Sequence, residues 1–211
     1  MDAEVSARLS AGLDALGLTL APAQVGALAA LLAELADWNT RFNLTAIRDP
    51  VEAVNKHILD SLAVLPHLRG LAVADVGSGA GFPGLPLAIA DPDRRFCLIE
   101  STGKKARFLG HVIARLELPN VEVAAVRAES YRPRQPFDCV VSRALGSLAE
   151  FVRVAGYLSA QGGRLLAMKG KVPEAEIRAL PAGWKALAVH PVAVPGLDAE
   201  RCVVELGRVQ D

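Results

Sequence analysis

The chain has 211 residues, 23 Lys and Arg balanced by 23 Asp and Glu, 52% hydrophobic residues and a positive mean hydropathy. A sequence of this size and make-up buries one large core with room for a small helical unit beside it, which excludes a disordered or fibrous chain. No apolar run approaches the ~20 residues of a membrane span, so a soluble protein that engages no membrane is expected.

Residues 3–65 read as helical throughout, with Val25, Leu28, Leu31, Leu32 and Leu35 at i, i+3, i+4 spacing in "PAQVGALAALLAELADWNTRF". Trp38 and Phe42, one turn apart, are expected in the core. Asp49 before Pro50 supplies a cap and a first-turn proline for a further helix, "VEAVNKHILDSLAVL". His57 and Asp60 share one face of it but are too few to hold a metal. The amino terminus carries acids where a secretory signal needs basic residues, which predicts a cytoplasmic protein.

From residue 71 short apolar runs alternate with helical spacing: "LAVADV", "FCLIES", "VEVAAV", "FDCVVS" and "GRLLAMKG" are the predicted strands. Such alternation predicts an α/β fold with a parallel sheet covered on both faces. "WKALAVHPVAV" and "RCVVELGRV", joined by the turn-rich "PGLDAE", predict an antiparallel hairpin at the sheet edge. The expected organisation is a helical cap over residues 1–65 and an α/β domain over residues 66–211. Cys97, Cys139 and Cys202 lie in apolar runs without CxxC spacing and are expected to be reduced core thiols, with no metal site.

The densest signal is "VADVGSGAGFPGLPLA", residues 73–88. Gly77, Gly79 and Gly81 follow the first strand and precede a helix, where the backbone must turn sharply and a ligand can approach the main chain; Pro83 suits the helix's first turn. Gly79 to Gly84 fits G-x-G-x-x-G with Glu100 21 residues beyond its start, as a dinucleotide site requires. Asp75, however, places a carboxylate at the mouth of the turn, which would repel a pyrophosphate and attract an ammonium or sulfonium.

The pattern D-x-G-x-G-x-G, Asp75 to Gly81, resembles the first motif of class I S-adenosylmethionine methyltransferases. That resemblance implies a Rossmann-like, seven-stranded, mostly parallel sheet with S-adenosyl-L-methionine as cofactor. Asp75 would face its methionine end, and Glu100 would grip the ribose hydroxyls. After the fourth strand the sequence reads "VSRAL" rather than the Asn/Asp-Pro-Pro-aromatic pattern of exocyclic amine methylation. Cys139 lies too early in its strand to serve as a nucleophile toward cytosine C5. An acceptor with a free lone pair, such as guanine N7, needs only alignment with the methyl donor and no general base.

Seven blocks in order, "WNTRFNLTAIRDP" with "HILDSL", "DVGSGAGFPGLPLAI", "LIESTGKKARFL", "VRAES", "FDCVVSRAL" and "AMKGK", resemble the bacterial ribosomal small-subunit methyltransferase G family from about residue 38 to residue 171. The resemblance implies 7-methylguanine formation at position 527 of 16S rRNA, with naked rRNA or the 30S subunit as partner. It also implies cofactor contacts at Gly77, Phe82, Ala128, Glu129 and Arg143, with Arg143 further able to reach the guanine or its phosphate, or to serve as an ion-pair partner. His57 and Asp60 would fix the helical cap over the cofactor. Transfer to another RNA position or a small acceptor, and a non-catalytic RNA-binding module on the same fold, are the competing readings.

An RNA substrate requires a basic face. Residues 100–171 hold 12 Lys and Arg against 6 Asp and Glu. Lys104, Lys105 and Arg107 open the helix after Glu100, and Lys169 and Lys171 follow the fifth strand, so both groups are expected at the carboxyl edge of the sheet. Arg132 and Arg134 in "YRPRQP" form a second basic spot.

Overall fold

The computed structural model describes residues 3–143 and 145–209. Helix α1, Ala3–Ala15, buries Val5, Leu9 and Leu13 at successive turns. Helix α2, Pro22–Phe42, buries Leu28, Leu31, Leu32 and Leu35. The Gln24 carboxamide ties its start both ways: Oε1 accepts from the Ala21 N–H at 2.8 Å, and Nε2 donates to the Ile89 and Ala90 carbonyls at 2.8 and 3.0 Å.

Residues 43–49 are not helical, contrary to the expectation from spacing alone. Asn43 takes a left-handed conformation (φ 46°), and the buried Asn39 carboxamide replaces the main-chain partners beyond it. Its oxygen accepts from the Leu44 and Thr45 N–H groups at 2.7 and 3.0 Å, and its nitrogen donates to the Thr45 carbonyl at 3.0 Å. Helix α3, Pro50–Ala53, then starts as predicted, with Asp49 accepting from the Glu52 N–H at 2.7 Å. The chain continues into a π-helical turn, Val54–Leu59, and α4, Asp60–Leu62, instead of one regular α-helix. Single π turns of this kind are common at functional sites.

Seven strands follow: β1 (Ala72–Val76), β2 (Arg95–Ile99), β3 (Val121–Ala124), β4 (Phe137–Arg143), β5 (Ser159–Lys169), β6 (Trp184–Pro191) and β7 (Cys202–Arg208). They form one sheet in the order β3-β2-β1-β4-β5-β7-β6. The first five strands are parallel; β7 runs antiparallel between β5 and β6, so the predicted hairpin closes one edge. The apolar runs of β1 and β2 are buried on both faces, whereas edge strand β6 mixes half-buried and exposed positions and has none fully buried.

Helices α5 (Gly84–Ala90), α6 (Gly103–Arg115) and α7 (Leu148–Ala155) carry the crossovers between parallel strands, and the short α8 (Glu174–Arg178) follows β5. The N-terminal helices share a continuous core with one face of the sheet, where Leu28, Leu31, Ile58 and Leu62 join Val73, Leu85 and Phe108. Trp38 and Phe42 pack there as expected, Trp38 meeting Phe108 edge-on at 5.5 Å. Cys97, Cys139 and Cys202 are free and buried. Strand order reverses between β1 and β4, and in open parallel sheets a ligand crevice opens at the carboxyl ends of the strands at such a point.

Candidate functional site

The glycine turn leaves β1 at this reversal. Gly77 and Gly79 have φ of +71° and +61°, which only glycine adopts without strain. A Cβ on Gly77 would meet nothing nearer than Leu145 Cδ1 at 3.5 Å, and one on Gly79 nothing nearer than the Gly77 carbonyl at 3.9 Å, so at both positions backbone conformation rather than packing requires glycine. Gly81 differs, since its Cβ would strike Leu85 and Leu109; it is a packing glycine. The turn is closed by Gly77 N–H donating to the Ile99 carbonyl at 2.9 Å and Gly81 N–H to that of Ser78 at 2.8 Å. Helix α5 begins at Gly84 with Pro83 at its cap, one position earlier than first-turn placement requires.

Asp75 lies fully buried under the turn rather than at its mouth. One oxygen accepts from the Gly84 N–H at 2.9 Å, and the other has no hydrogen-bond partner among the described residues. Burial pushes its carboxyl up to about 7, against the opposing pull of the Gly84 N–H and the Arg143 guanidinium. Glu100, at the exit of β2, is also buried. Its two oxygens accept from the Gly79 N–H at 2.9 Å and the Thr102 N–H at 2.7 Å, so it braces the glycine turn against the start of α6.

Ala128 and Glu129 lie on a 3-10 turn, Ala128–Ser130, after β3; Ala128 is buried and Glu129 exposed. The Tyr157 hydroxyl, which spacing did not single out, faces the Ala128 carbonyl and lies 2.7 Å from that of Tyr131, holding this turn from the far side of α7.

At the end of β4, Arg143 donates to the Lys56 carbonyl of the π-helical turn at 2.8 Å and to Asp60 Oδ2 at 3.1 Å. Its guanidinium lies 5.6 Å from the Phe82 ring centre, and the His57 ring stacks on the same phenyl ring at 4.4 Å. His57 Nε2 is 3.0 Å from the Thr45 hydroxyl, and its Nδ1 is 3.5 Å from Arg143. Burial, reinforced by Arg143, lowers His57 to about 4, so the imidazole is neutral at pH 7. Asp60 Oδ1 accepts from Arg201 Nε at 3.1 Å, which leaves this buried carboxylate shared by two guanidiniums. His57 and Asp60 thus join the helical segment to the end of β4. Arg201 had no local signal, being a lone arginine beyond the C-terminal turn. Ala144 of the "SRAL" block lies outside the described residues.

The basic residues separate into two groups. Lys104 donates to the Phe42 carbonyl at 2.8 Å, and Lys169 to the Gly146 carbonyl at 2.7 Å and Glu176 at 2.9 Å. Both are structural ties, contrary to their expected place on an open RNA surface: each ammonium is close enough to a neighbouring element to replace water with an internal acceptor. Lys105 is half-buried, Arg107 exposed, and Lys171 exposed with Glu200 at 3.9 Å. Among the described residues no group of three or more His, Cys, Asp or Glu could hold a metal, and no helix is long and apolar enough to cross a membrane.

Solved structures similar to this chain include methyltransferases. TrmN from Thermus thermophilus covers 81% of the chain (53% of its own) with TM-score 0.57 at 21% identity. A SAM-dependent methyltransferase from Thiobacillus denitrificans, in complex with S-adenosyl-L-homocysteine, covers 72% (90% of its own) with TM-score 0.52 at 14% identity. These likenesses show the fold. Among curated proteins, the ribosomal RNA small subunit methyltransferase G of Xanthomonas axonopodis pv. citri is 49% identical over 201 residues, 95% of this chain and 94% of its own. That of Aromatoleum aromaticum is 49% identical over 208 residues, 96% and 99%. The profile of the GidB family, described as rRNA small subunit methyltransferase G, matches residues 24–204, and the chain belongs to that family.

Proposed function

We propose that this protein transfers the methyl group of S-adenosyl-L-methionine to N7 of guanine 527 in 16S rRNA, in the bacterial cytoplasm. Family membership carries the acceptor. The observation that carries the cofactor is the buried Asp75 carboxylate, whose second oxygen has no hydrogen-bond partner among the described residues, under a turn whose Gly77 and Gly79 meet no close packing. A buried carboxylate that forms no direct ion pair among the described residues suits a cationic ligand group.

The donor set fits S-adenosyl-L-methionine from one end to the other. Asp75 would hold the methionyl ammonium, Glu100 the ribose hydroxyls, and Ala128 with Glu129 the adenine; Phe82 would form an apolar wall. When bound, the cofactor supplies an electrophilic methyl group on a sulfonium. Guanine N7 carries its own lone pair, so this chain's task is alignment and exclusion of water rather than proton removal. The surroundings of Arg143 support that reading, because the His57 imidazole there is neutral and has a neighbour at each ring nitrogen. Arg143, fixed by Lys56 and Asp60, keeps donors on its remaining nitrogens to orient the guanine or its phosphate.

The test is transfer of labelled methyl from S-adenosyl-L-methionine to 16S rRNA and to 30S particles from cells lacking the enzyme, with the product mapped by cleavage specific for 7-methylguanine. A single cleavage at guanine 527 is expected. Cofactor binding without transfer would favour the non-catalytic RNA-binding reading, and transfer to a different nucleotide would reassign the target.

A further inference from the structure

Three of the parallel crossovers run through α-helices, but the passage from β3 to β4 contains only the 3-10 turn Ala128–Ser130 among the described residues. Where a helix would cover the sheet, the proline-bearing loop 131–136 stands over the amino-terminal ends of β1, β2 and β3. Beneath it is an open cavity of about 840 Å³. Arg95, Arg132 and Arg134 line it, against the single carboxylate of Glu122.

None of the three arginines forms an ion pair among the described residues, and all three are exposed. Arg132 is held through one nitrogen, Nη1, which donates to the Glu129 and Tyr131 carbonyls at 2.8 Å each, and its guanidinium lies over the Tyr157 ring at 5.2 Å. That leaves its second terminal nitrogen available to an oxyanion. Tyr131, half-buried in the same wall, adds an aromatic surface.

The chain is neutral overall, so a polyanionic substrate must be held by local concentrations of positive charge. At the carboxyl edge, Lys104 and Lys169 are already tied to internal acceptors. The arginine-lined cavity lies at the opposite ends of the same strands, about 15 Å away for five residues of β-strand. A mononucleotide cannot reach both edges, whereas a folded RNA presents phosphates over far more than that distance.

We infer that this cavity is a docking site for the phosphodiester backbone of the rRNA substrate, held by Arg95, Arg132 and Arg134 at the edge of the sheet opposite the methyl-transfer site. The inference rests on the rRNA reading above. It accounts for the open β3-to-β4 crossover and for three arginines that no carboxylate neutralises.

The experiment compares the parent protein with Arg95→Glu/Arg134→Glu and with the milder Arg95→Gln/Arg134→Gln. Affinity for unmethylated 16S rRNA is measured across a KCl series, and S-adenosyl-L-methionine affinity by calorimetry. The charge-reversal pair is expected to lose at least tenfold in rRNA affinity with cofactor affinity unchanged. The neutral pair should fall between, with its log affinity against log salt shallower by about 1.5, the release expected for two phosphate contacts. If charge reversal also lowers cofactor affinity, the neutral pair decides alone. Unchanged rRNA affinity and slope would overturn the inference. Loss confined to 30S particles, with naked rRNA bound as before, would overturn it too, by assigning the cavity to a ribosomal protein. Arginine-dependent rRNA binding by a parent that methylates no guanine would uphold the inference and defeat the proposed reaction instead.

Discussion

Two buried aspartates face opposite situations in this molecule. Asp60, in the helical segment, has each oxygen on an arginine, one from the end of β4 and one from the residue before β7. Asp75, under the glycine turn, has one backbone N–H and an oxygen without a hydrogen-bond partner among the described residues. Both are nearly inaccessible, so burial does not distinguish them. What distinguishes them is pairing: both oxygens of Asp60 are engaged by guanidiniums in holding the fold, while one oxygen of Asp75 is left without a hydrogen bond among the described residues, which the free protein holds at a cost.

Removing the paired carboxylate should cost the most stability. Asp60→Ala leaves Arg143 and Arg201 without their counter-charge; because these side chains are about one quarter exposed, a loss of about 3 kcal/mol is expected, at the low end for a broken buried pair. Urea unfolding checks this, and a loss below about 1 kcal/mol would show that the clamp is ornamental. Asp75→Asn should do the reverse. Cofactor affinity should drop about a hundredfold, ~2.7 kcal/mol, while the midpoint of urea unfolding at pH 8 stays the same or rises. A variant that binds the cofactor normally would end the distinction between the two residues.

The pH dependence sharpens it further. The Asp75 carboxyl is raised from 3.8 to about 7 in the folded chain, so the native state holds its proton more tightly than the unfolded state. Its contribution to stability is therefore highest below pH 4, falls from pH 4 to about 7, and is level above that. A cationic ligand needs the ionised form, so cofactor affinity should weaken as pH falls below about 7, and binding at pH 6 should release a proton. Calorimetry in two buffers of different ionisation heat measures that release, and the Asn variant should show none.

The smallest expected effects lie among the lysines. Lys104→Gln should cost up to about 1 kcal/mol of stability through its lost bond to the Phe42 carbonyl, with an unchanged salt slope for rRNA binding. Lys105→Gln should leave stability alone and make that slope shallower by about 0.8. A shallower slope for Lys104→Gln would return that residue to the RNA surface.

Much of the fold was legible because it depends on local period and spacing. All seven strand runs, the hairpin, the Asp49 cap and the Asp75 to Gly81 turn are written within short windows of the chain. The loop 43–49 was not legible: helical spacing continues through it, and the break depends on Asn39 turning its carboxamide back onto the main chain. Nor were the ties of Lys104 and Lys169, since a lysine beside a strand end reads the same whether it faces water or a neighbouring carbonyl.

The sequence by itself determined the alternation of strands and helices, the glycine turn and the acids on either side of it, because these follow from backbone conformation and hydrophobic period over a few residues. Only the tertiary structure decided which charges are spent and which remain available. Asp60 meets Arg143 across 83 residues and Arg201 across 141, while Asp75 forms no ion pair among the described residues and keeps one oxygen without a hydrogen bond. Pairing of that kind depends on distances of a few ångströms between segments remote in the chain, and no local pattern encodes them.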